Sequence, residues 1–127
     1  MQKPLVVALL LLSSASASAF SSGLSEHKQI QHVVLCWMAE GHSAEDVAAV
    51  KAGFQAFSSI PQIASLVIGD ALPSERAIVD DSFHVGVVME FETADDLEAF
   101  MVDRSHKQIT TEVLAPLCPR AVVYDIY

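Results

Sequence analysis

The chain has 127 residues, with 16 acidic and 7 basic side chains, so its formal net charge at pH 7 is −9. This balance argues against nucleic acid or an anionic membrane surface as a partner, because phosphate binding needs basic patches that the sequence does not contain. The length is sufficient for one domain with a single core of modest size.

The first 19 residues have the three parts of a secretory signal segment. Lys3 stands in a short basic start, residues 5–12 form an apolar run, and residues 17–19 are small. The apolar run is well short of the roughly 20 residues that span a bilayer. We therefore predict cleavage before Phe20, with no stable membrane anchor. The mature chain is expected to be exported, either to a periplasm or as a secreted protein.

After a polar lead segment at 20–29, a single domain is predicted over residues 30–127. It opens with a strand at 31–39, whose side chains alternate between two faces. One face carries His32, Val34, Cys36 and Met38, and the other carries Val33, Leu35 and Trp37. A strand that is apolar on both faces is usually buried on both, so each side of the sheet requires a cover.

A helix and two strands follow in the first half of the domain. Ser43 is a typical N-cap, and apolar residues recur after it at helical spacing. These residues are Val47, Val50, Phe54 and Phe57. Strands are predicted at 63–68 and 83–91, joined by a long mixed loop at 70–82.

The second half of the domain is predicted to hold two helical segments and a last strand. Thr93 begins the first of these helices, and Asp103-Arg104 breaks it. Ser105 and Gln108 have the spacing of a capping box for the second segment. Pro119 ends that segment, and the last strand follows at 120–127.

The order strand, helix, strand, strand, helix, strand predicts an α+β fold. With right-handed crossovers it gives a ferredoxin-like four-stranded antiparallel sheet with the helices on one face. No segment remains to cover the other face. A homodimer that packs sheet against sheet would solve this problem, with Val33, Leu35 and Trp37 at the dimer interface.

The two cysteines, Cys36 and Cys118, allow two interpretations. Export to an oxidising compartment would permit a disulfide between them. Cys36 lies inside an apolar strand, however, and Cys118 is not expected directly opposite it. The sequence therefore favours two buried free thiols over a bridge.

Several short pieces of the domain, in this order and spacing, resemble the stress-responsive dimeric α/β-barrel (Dabb) domain family. The pieces are His32-Val33-Val34-Leu35-Cys36-Trp37, Ile60-Pro61, Phe91-Glu92-Thr93, Ser105-His106-Lys107 and Leu114-Ala115-Pro116-Leu117. The resemblance covers about residues 30–127. It implies a ferredoxin-like chain whose sheet closes into a dimeric α/β barrel with the sheet of a second copy.

A plant member of this family closes a polyketide chain by an aldol step. The resemblance implies that His106 matches the base of that enzyme and that His32 matches a pocket histidine. Phe100 stands where the enzyme has an assisting tyrosine, and it has no hydroxyl group. Small residues such as Ala49 and Gly53 stand where the enzyme has bulky pocket side chains. The cyclase chemistry therefore does not carry over intact.

His106 is the candidate catalytic residue. If Ser105 caps its helix, the helix dipole disfavours the imidazolium form and leaves a neutral ring that can accept a proton. The resemblance implies that His32 lies on the face toward the helices, where it could share a cavity with His106. Each histidine also has a structural interpretation, as a residue that packs a helix start or the edge of a strand.

The function that we expect is binding of a small apolar molecule, or a stress-related role without catalysis. The predicted ligand pocket is lined by His32, Val34, Val50, Phe54, Val85, Phe100 and His106. The alternatives are a cofactor-free enzyme, resembling a polyketide cyclase or a monooxygenase, with His106 as general base, and a structural oligomer with a filled interior. No cofactor and no metal are predicted, because the sequence has neither a phosphate-binding loop nor closely spaced ligands.

Overall fold

The computed structural model describes residues 29–127, together with positions 2 and 4. The predicted signal segment and residues 20–28 of the lead segment thus lie outside the described residues, apart from those two positions. The strands are β1 (Ile30–Trp37), β2 (Ser65–Asp70), β3 (Val85–Phe91) and β4 (Arg120–Ile126). The helices are α1 (Ala44–Ala56), α2 (Ala94–Val102), α3 (Arg104–Ile109) and α4 (Ala115–Leu117). A 3₁₀ turn at Phe57–Ser59 follows α1, and a π-helical turn at Thr110–Leu114 joins α3 to α4.

The strands form one antiparallel sheet in the order β2-β3-β1-β4. This order and the helices on one face confirm the predicted ferredoxin-like α+β fold. The register places His32 opposite Met89 on β3 and opposite Asp125 on β4. Residues that pair across the ladder point to the same face of the sheet, so His32 and Asp125 lie on the same face.

The N-termini of α1, α2 and α3 are capped by short polar side chains. The Oγ atom of Ser43 accepts a hydrogen bond from the Asp46 amide, and Asp46 Oδ2 accepts one from the Ser43 amide. Thr93 Oγ1 caps α2 by accepting a hydrogen bond from the Asp96 amide. The prediction that Ser105 caps the third helix was wrong, because Asp103 Oδ1 accepts from the amides of Ser105 and His106. The cap thus lies two residues earlier.

The core lies between the helices and the inner face of the sheet, which carries His32. Its largest fully buried side chains are Phe57, Phe91, Phe100, Met89, Val50, Val85 and Val87. Gly53 lets α1 approach the π-helical turn, because a Cβ atom there would lie 3.1 Å from Leu114 Cδ2. This contact helps to position the segment that carries His106.

The outer face of the sheet is partly covered at one end, where the sequence analysis expected no cover. Residues 71–84 connect β2 to β3, and β3 begins at Val85, two residues later than predicted. Phe83 leaves the ladder and packs over Gly86, and its ring centroid lies 6.3 Å from that of Trp37. The Trp37 indole N–H donates to Ser82 Oγ at 2.9 Å.

Cys36 and Cys118 form a disulfide, so the preference for two free thiols was wrong. The ladder places Ala121, not Cys118, opposite Cys36, as the sequence suggested. Cys118 instead lies in the turn between α4 and β4, where its Cα atom is 5.5 Å from that of Cys36. This separation lies within the range that a disulfide requires.

Candidate functional site

A cavity of about 490 Å³ lies between the inner face of the sheet and the chain from α2 to α4. Its walls are mostly apolar and include Val34, Phe54, Phe57, Met89, Leu97 and Leu114. The helices do not fully cover β4, since Val123 on the inner face of that edge strand is 48 % exposed. The cavity is therefore open toward β4, and its size falls within the range of small-molecule sites.

His32 and Asp125 form a polar pair on the wall of this cavity. Asp125 Oδ1 accepts a hydrogen bond from Nδ1–H of His32. His32 is 5 % exposed, whereas the Asp125 side chain is half exposed at the open edge. The carboxylate fixes the proton on Nδ1, so Nε2 of a neutral His32 is left as an acceptor.

His106 lies close to this pair, in the first turn of α3. Its ring centroid is 4.4 Å from that of Phe100, which also packs against the His32 ring at 6.2 Å. Nδ1 of His106 is buried and has no hydrogen-bond partner among the described residues. His106 is one of the residues that line the cavity, so a bound molecule would contact its ring.

Burial lowers the pKa of His106 below its ordinary value. The Met101 carbonyl acts in the opposite direction, and the nearby His32 imidazole lowers the pKa further. Burial has the larger effect because it disfavours the charged ring. His106 is therefore neutral at pH 7, the protonation state that a general base requires.

The other end of the cavity contains the Cys36–Cys118 disulfide and Ala121. Cys36 lies four residues beyond His32 on the same face of β1, which is a distance of about 13 Å along the strand. The cavity thus has a polar end, with two histidines and a carboxylate, and an apolar end that contains the disulfide. This arrangement suits an elongated apolar molecule with one polar group.

Four of the seven residues predicted to form the pocket line the cavity: His32, Val34, Phe54 and His106. Val50, Val85 and Phe100 are not on its wall; they lie fully buried in the core. The functional roles of all seven stay predictions.

The predicted pocket did not include the cavity residues of β4, namely Ala121, Val123 and Asp125, or either disulfide cysteine. Alternation along β4 places the three β4 residues on one face. Only the register with β1, however, shows that Asp125 reaches His32. The missing information is thus the pairing of two strands that lie far apart in the sequence.

The three residues predicted at the dimer interface lie together on the outer face. Val33, Leu35 and Trp37 are each half-buried and adjoin more exposed apolar residues on the neighbouring strands. Val67 on β2 is 67 % exposed and Tyr124 on β4 is 57 % exposed. The guanidinium of Arg120 lies 4.1 Å from the Trp37 ring centroid.

Within the described residues, no group of three or more His, Cys, Asp or Glu side chains could hold a metal ion. In the same part of the chain, no helix is both long and apolar enough to cross a membrane.

The family model of the stress responsive A/B barrel domain (Dabb) matches residues 30–127. The chain belongs to this family. The match confirms the resemblance seen in the sequence. A search of curated proteins finds no match.

Solved structures share the Dabb fold at low sequence identity. A Dabb family protein from Mesorhizobium loti is 18 % identical, with a TM-score of 0.62 over 78 % of this chain and 95 % of that chain. Hydroxynitrile lyase from Passiflora edulis is 19 % identical, with a TM-score of 0.66 over 78 % of this chain and 92 % of the enzyme. A dimeric protein of unknown function from Bacteroides fragilis is 16 % identical, with a TM-score of 0.62 over 78 % and 95 %. At these identities the likeness shows the fold alone.

Proposed function

We propose that this Dabb protein is an exported, stress-related homodimer that binds a small apolar molecule carrying one polar group. The observation that carries the proposal is the open cavity of about 490 Å³, apolar along most of its length and polar at the end near His32. Apolar walls supply binding free energy in proportion to the buried area, and a few polar groups orient the ligand. The described side chains leave open space where the filled-interior alternative expected packing.

Two further observations support the assembly and the location. The outer face of the sheet is apolar and only partly covered, and some of the similar structures, such as the one from Bacteroides fragilis, are described as dimeric. The apolar run at 5–12, with Lys3 before it and small residues at 17–19, is typical of a secretory signal. Intact mass of the protein recovered outside the cytoplasm tests export, since a chain that begins at Phe20 is expected.

Titration with prodan tests ligand binding. Prodan is a neutral naphthalene dye with one ketone group, and its fluorescence responds to an apolar environment. We expect Val123→Trp, which fills the cavity at its open side, to weaken prodan binding by about tenfold or more. Val102→Trp is the matched control, because Val102 is exposed on α2 and does not line the cavity. Equal affinity in both variants, or no binding to the wild type, would contradict the proposal.

A second candidate function is proton transfer by His106 next to a carbonyl group. Two observations favour it: the position of His106 on the cavity wall and the lowered pKa of its ring. A neutral imidazole in an apolar cavity can remove a weakly acidic proton from a bound ketone.

Deuterium uptake from heavy water tests this candidate. The methylene group beside the ketone of prodan should exchange faster with the wild-type protein than with His106→Gln, by about a hundredfold, since general base catalysis contributes at least this much. Prodan affinity and the urea midpoint should be unchanged in the variant. Equal exchange rates, or exchange lost together with stability, would indicate a structural histidine.

A further inference from the structure

A disulfide forms part of the wall at the apolar end of the cavity. Both Cys36 and Cys118 line the cavity. Cys36 is fully buried within β1, and Cys118 is 9 % exposed in the turn before β4. A molecule that fills this end of the cavity would therefore lie against the disulfide.

We propose that dithiol reductants reach the Cys36–Cys118 disulfide through this cavity, so that ligand occupancy and the redox state of the disulfide control each other. The inference has two parts. The ligand arm, which states that a bound ligand and the redox state of the disulfide affect each other, rests on the proposed function. The access arm, which states that dithiols reach the disulfide through the cavity, depends only on the position of the disulfide in the cavity wall. The oxidised protein would hold an apolar ligand and would release it where dithiols reduce the disulfide.

The chemical step is an exchange of thiols with a disulfide. One thiolate of the dithiol attacks Sγ of Cys118, the more accessible sulfur, and forms a mixed disulfide. Cys36 leaves as a thiolate and takes up a proton. The second thiolate of the dithiol then displaces Cys118, which is protonated in turn. The dithiol is oxidised to a cyclic disulfide, and the protein gains two thiols.

Reduction must alter the cavity wall, because two thiols cannot approach as closely as two bonded sulfur atoms. The backbone of Cys36 is held between β3 and β4. Cys118 lies outside the ladder and is freer to move, and its amide donates a 2.7 Å hydrogen bond to the carbonyl of Leu114. Leu114 lines the cavity and packs against Gly53. A shift of Cys118 therefore changes the wall that a ligand contacts.

The access arm is tested on the oxidised protein with Ala121→Phe. Ala121 lies opposite Cys36 on the cavity wall, so a phenyl group there blocks the path to the disulfide. Reduction by dithiothreitol is stopped by alkylation and followed by intact mass. We expect reduction about tenfold slower than in the wild type, a difference of about 1.4 kcal/mol in barrier height. Ala52→Phe, an exposed position on α1, is the matched control and should react at the wild-type rate.

The ligand arm uses prodan as the probe. At ten times its dissociation constant, prodan should slow reduction of the wild type by about tenfold, because only the empty protein reacts. The reduced protein should bind prodan at least about fivefold more weakly than the oxidised protein. Far-UV circular dichroism of the reduced protein verifies that it remains folded.

The outcomes separate the two proposals. If prodan binds but neither slows reduction nor distinguishes the two redox states, the inference is overturned and the proposed function stands. If prodan does not bind, the proposed function is contradicted, and Ala121→Phe decides the inference: slower reduction supports access through the cavity. Reduction of Ala121→Phe at the wild-type rate overturns the inference whatever prodan does.

Discussion

Both faces of the sheet carry apolar side chains, but they are covered very differently. On the inner face, Val85, Val87 and Met89 are at most 1 % exposed beneath the helices. On the outer face, Val67 and Tyr124 are more than half exposed. Helices that cross over one face leave the other without a layer of its own. The inner face thus stabilises the protomer, whereas the outer face leaves apolar surface exposed to solvent.

The inner face is itself uneven, and its incomplete part is the candidate site. The helices cover β1 and β3, whereas β4 at the edge of the sheet keeps Val123 and Asp125 accessible. The disulfide joins β1 to the turn before this strand. Substitutions on each face test how much that face contributes to folding and to assembly.

The largest effect is expected at the disulfide on the inner face. Replacing both Cys36 and Cys118 by Ala should lower the free energy of unfolding by about 4 kcal/mol, because the bridge spans 82 residues and its loss increases the entropy of the unfolded chain. Urea denaturation at one fixed protein concentration measures it. Wild-type protein in excess dithiothreitol should give a similar value, and a loss below about 1 kcal/mol would show that the bridge stabilises little.

Phe100 tests the packing of the inner face directly. Phe100→Ala should lower the free energy of unfolding by about 3 kcal/mol, since the ring is fully buried and contacts Phe57, Phe91 and His106. Val102→Ala, on the exposed side of the same helix, should change it by less than about 0.5 kcal/mol. If both variants lose a similar amount of unfolding free energy, the difference in burial between Phe100 and Val102 does not determine their contributions to stability.

Val33 tests the outer face. Val33→Glu should weaken dimerisation by about a hundredfold, because an unpaired carboxylate would be buried between two sheets. Sedimentation equilibrium measures the dissociation constant, with Val102→Glu as control. The protomer should keep its circular dichroism spectrum, since Val33 is not part of the inner core. A wild-type monomer at micromolar concentration would refute the assignment of this face to a homodimer.

The smallest effect is expected from pH. The pKa of His106 is lowered in the folded protein from its ordinary value of 6.5, so below pH 6.5 the unfolded chain binds more protons than the folded one. The free energy of unfolding should therefore fall as the pH decreases from 7.5 to 5.5, by a fraction of a kcal/mol. Urea midpoints at both pH values should show a smaller decrease for His106→Gln. His42→Gln, which keeps His106, is the control. If the urea midpoint decreases equally in the wild type and in His106→Gln, His106 is not the cause of the pH dependence.

The order of the helices and strands, the two apolar faces of β1 and most helix caps could be predicted from the sequence. These features depend on side-chain alternation and on hydrogen bonds between residues three positions apart, such as Ser43 and Asp46. They need no knowledge of distant parts of the chain. The expectation that His32 and His106 share one cavity came instead from the resemblance to the Dabb family.

The tertiary structure alone decided the bridge, the part of the cavity wall that β4 forms and the partner of His32. Cys36 meets Cys118 through a turn outside the ladder, 82 residues later in the chain. Asp125 reaches His32 only in the register that β4 adopts against β1, and Phe83 covers Gly86 only because the preceding loop turns onto the outer face. A periodic pattern shows which face a side chain occupies. The distances between faces, edges and turns depend on how the whole chain packs, and these distances create the site.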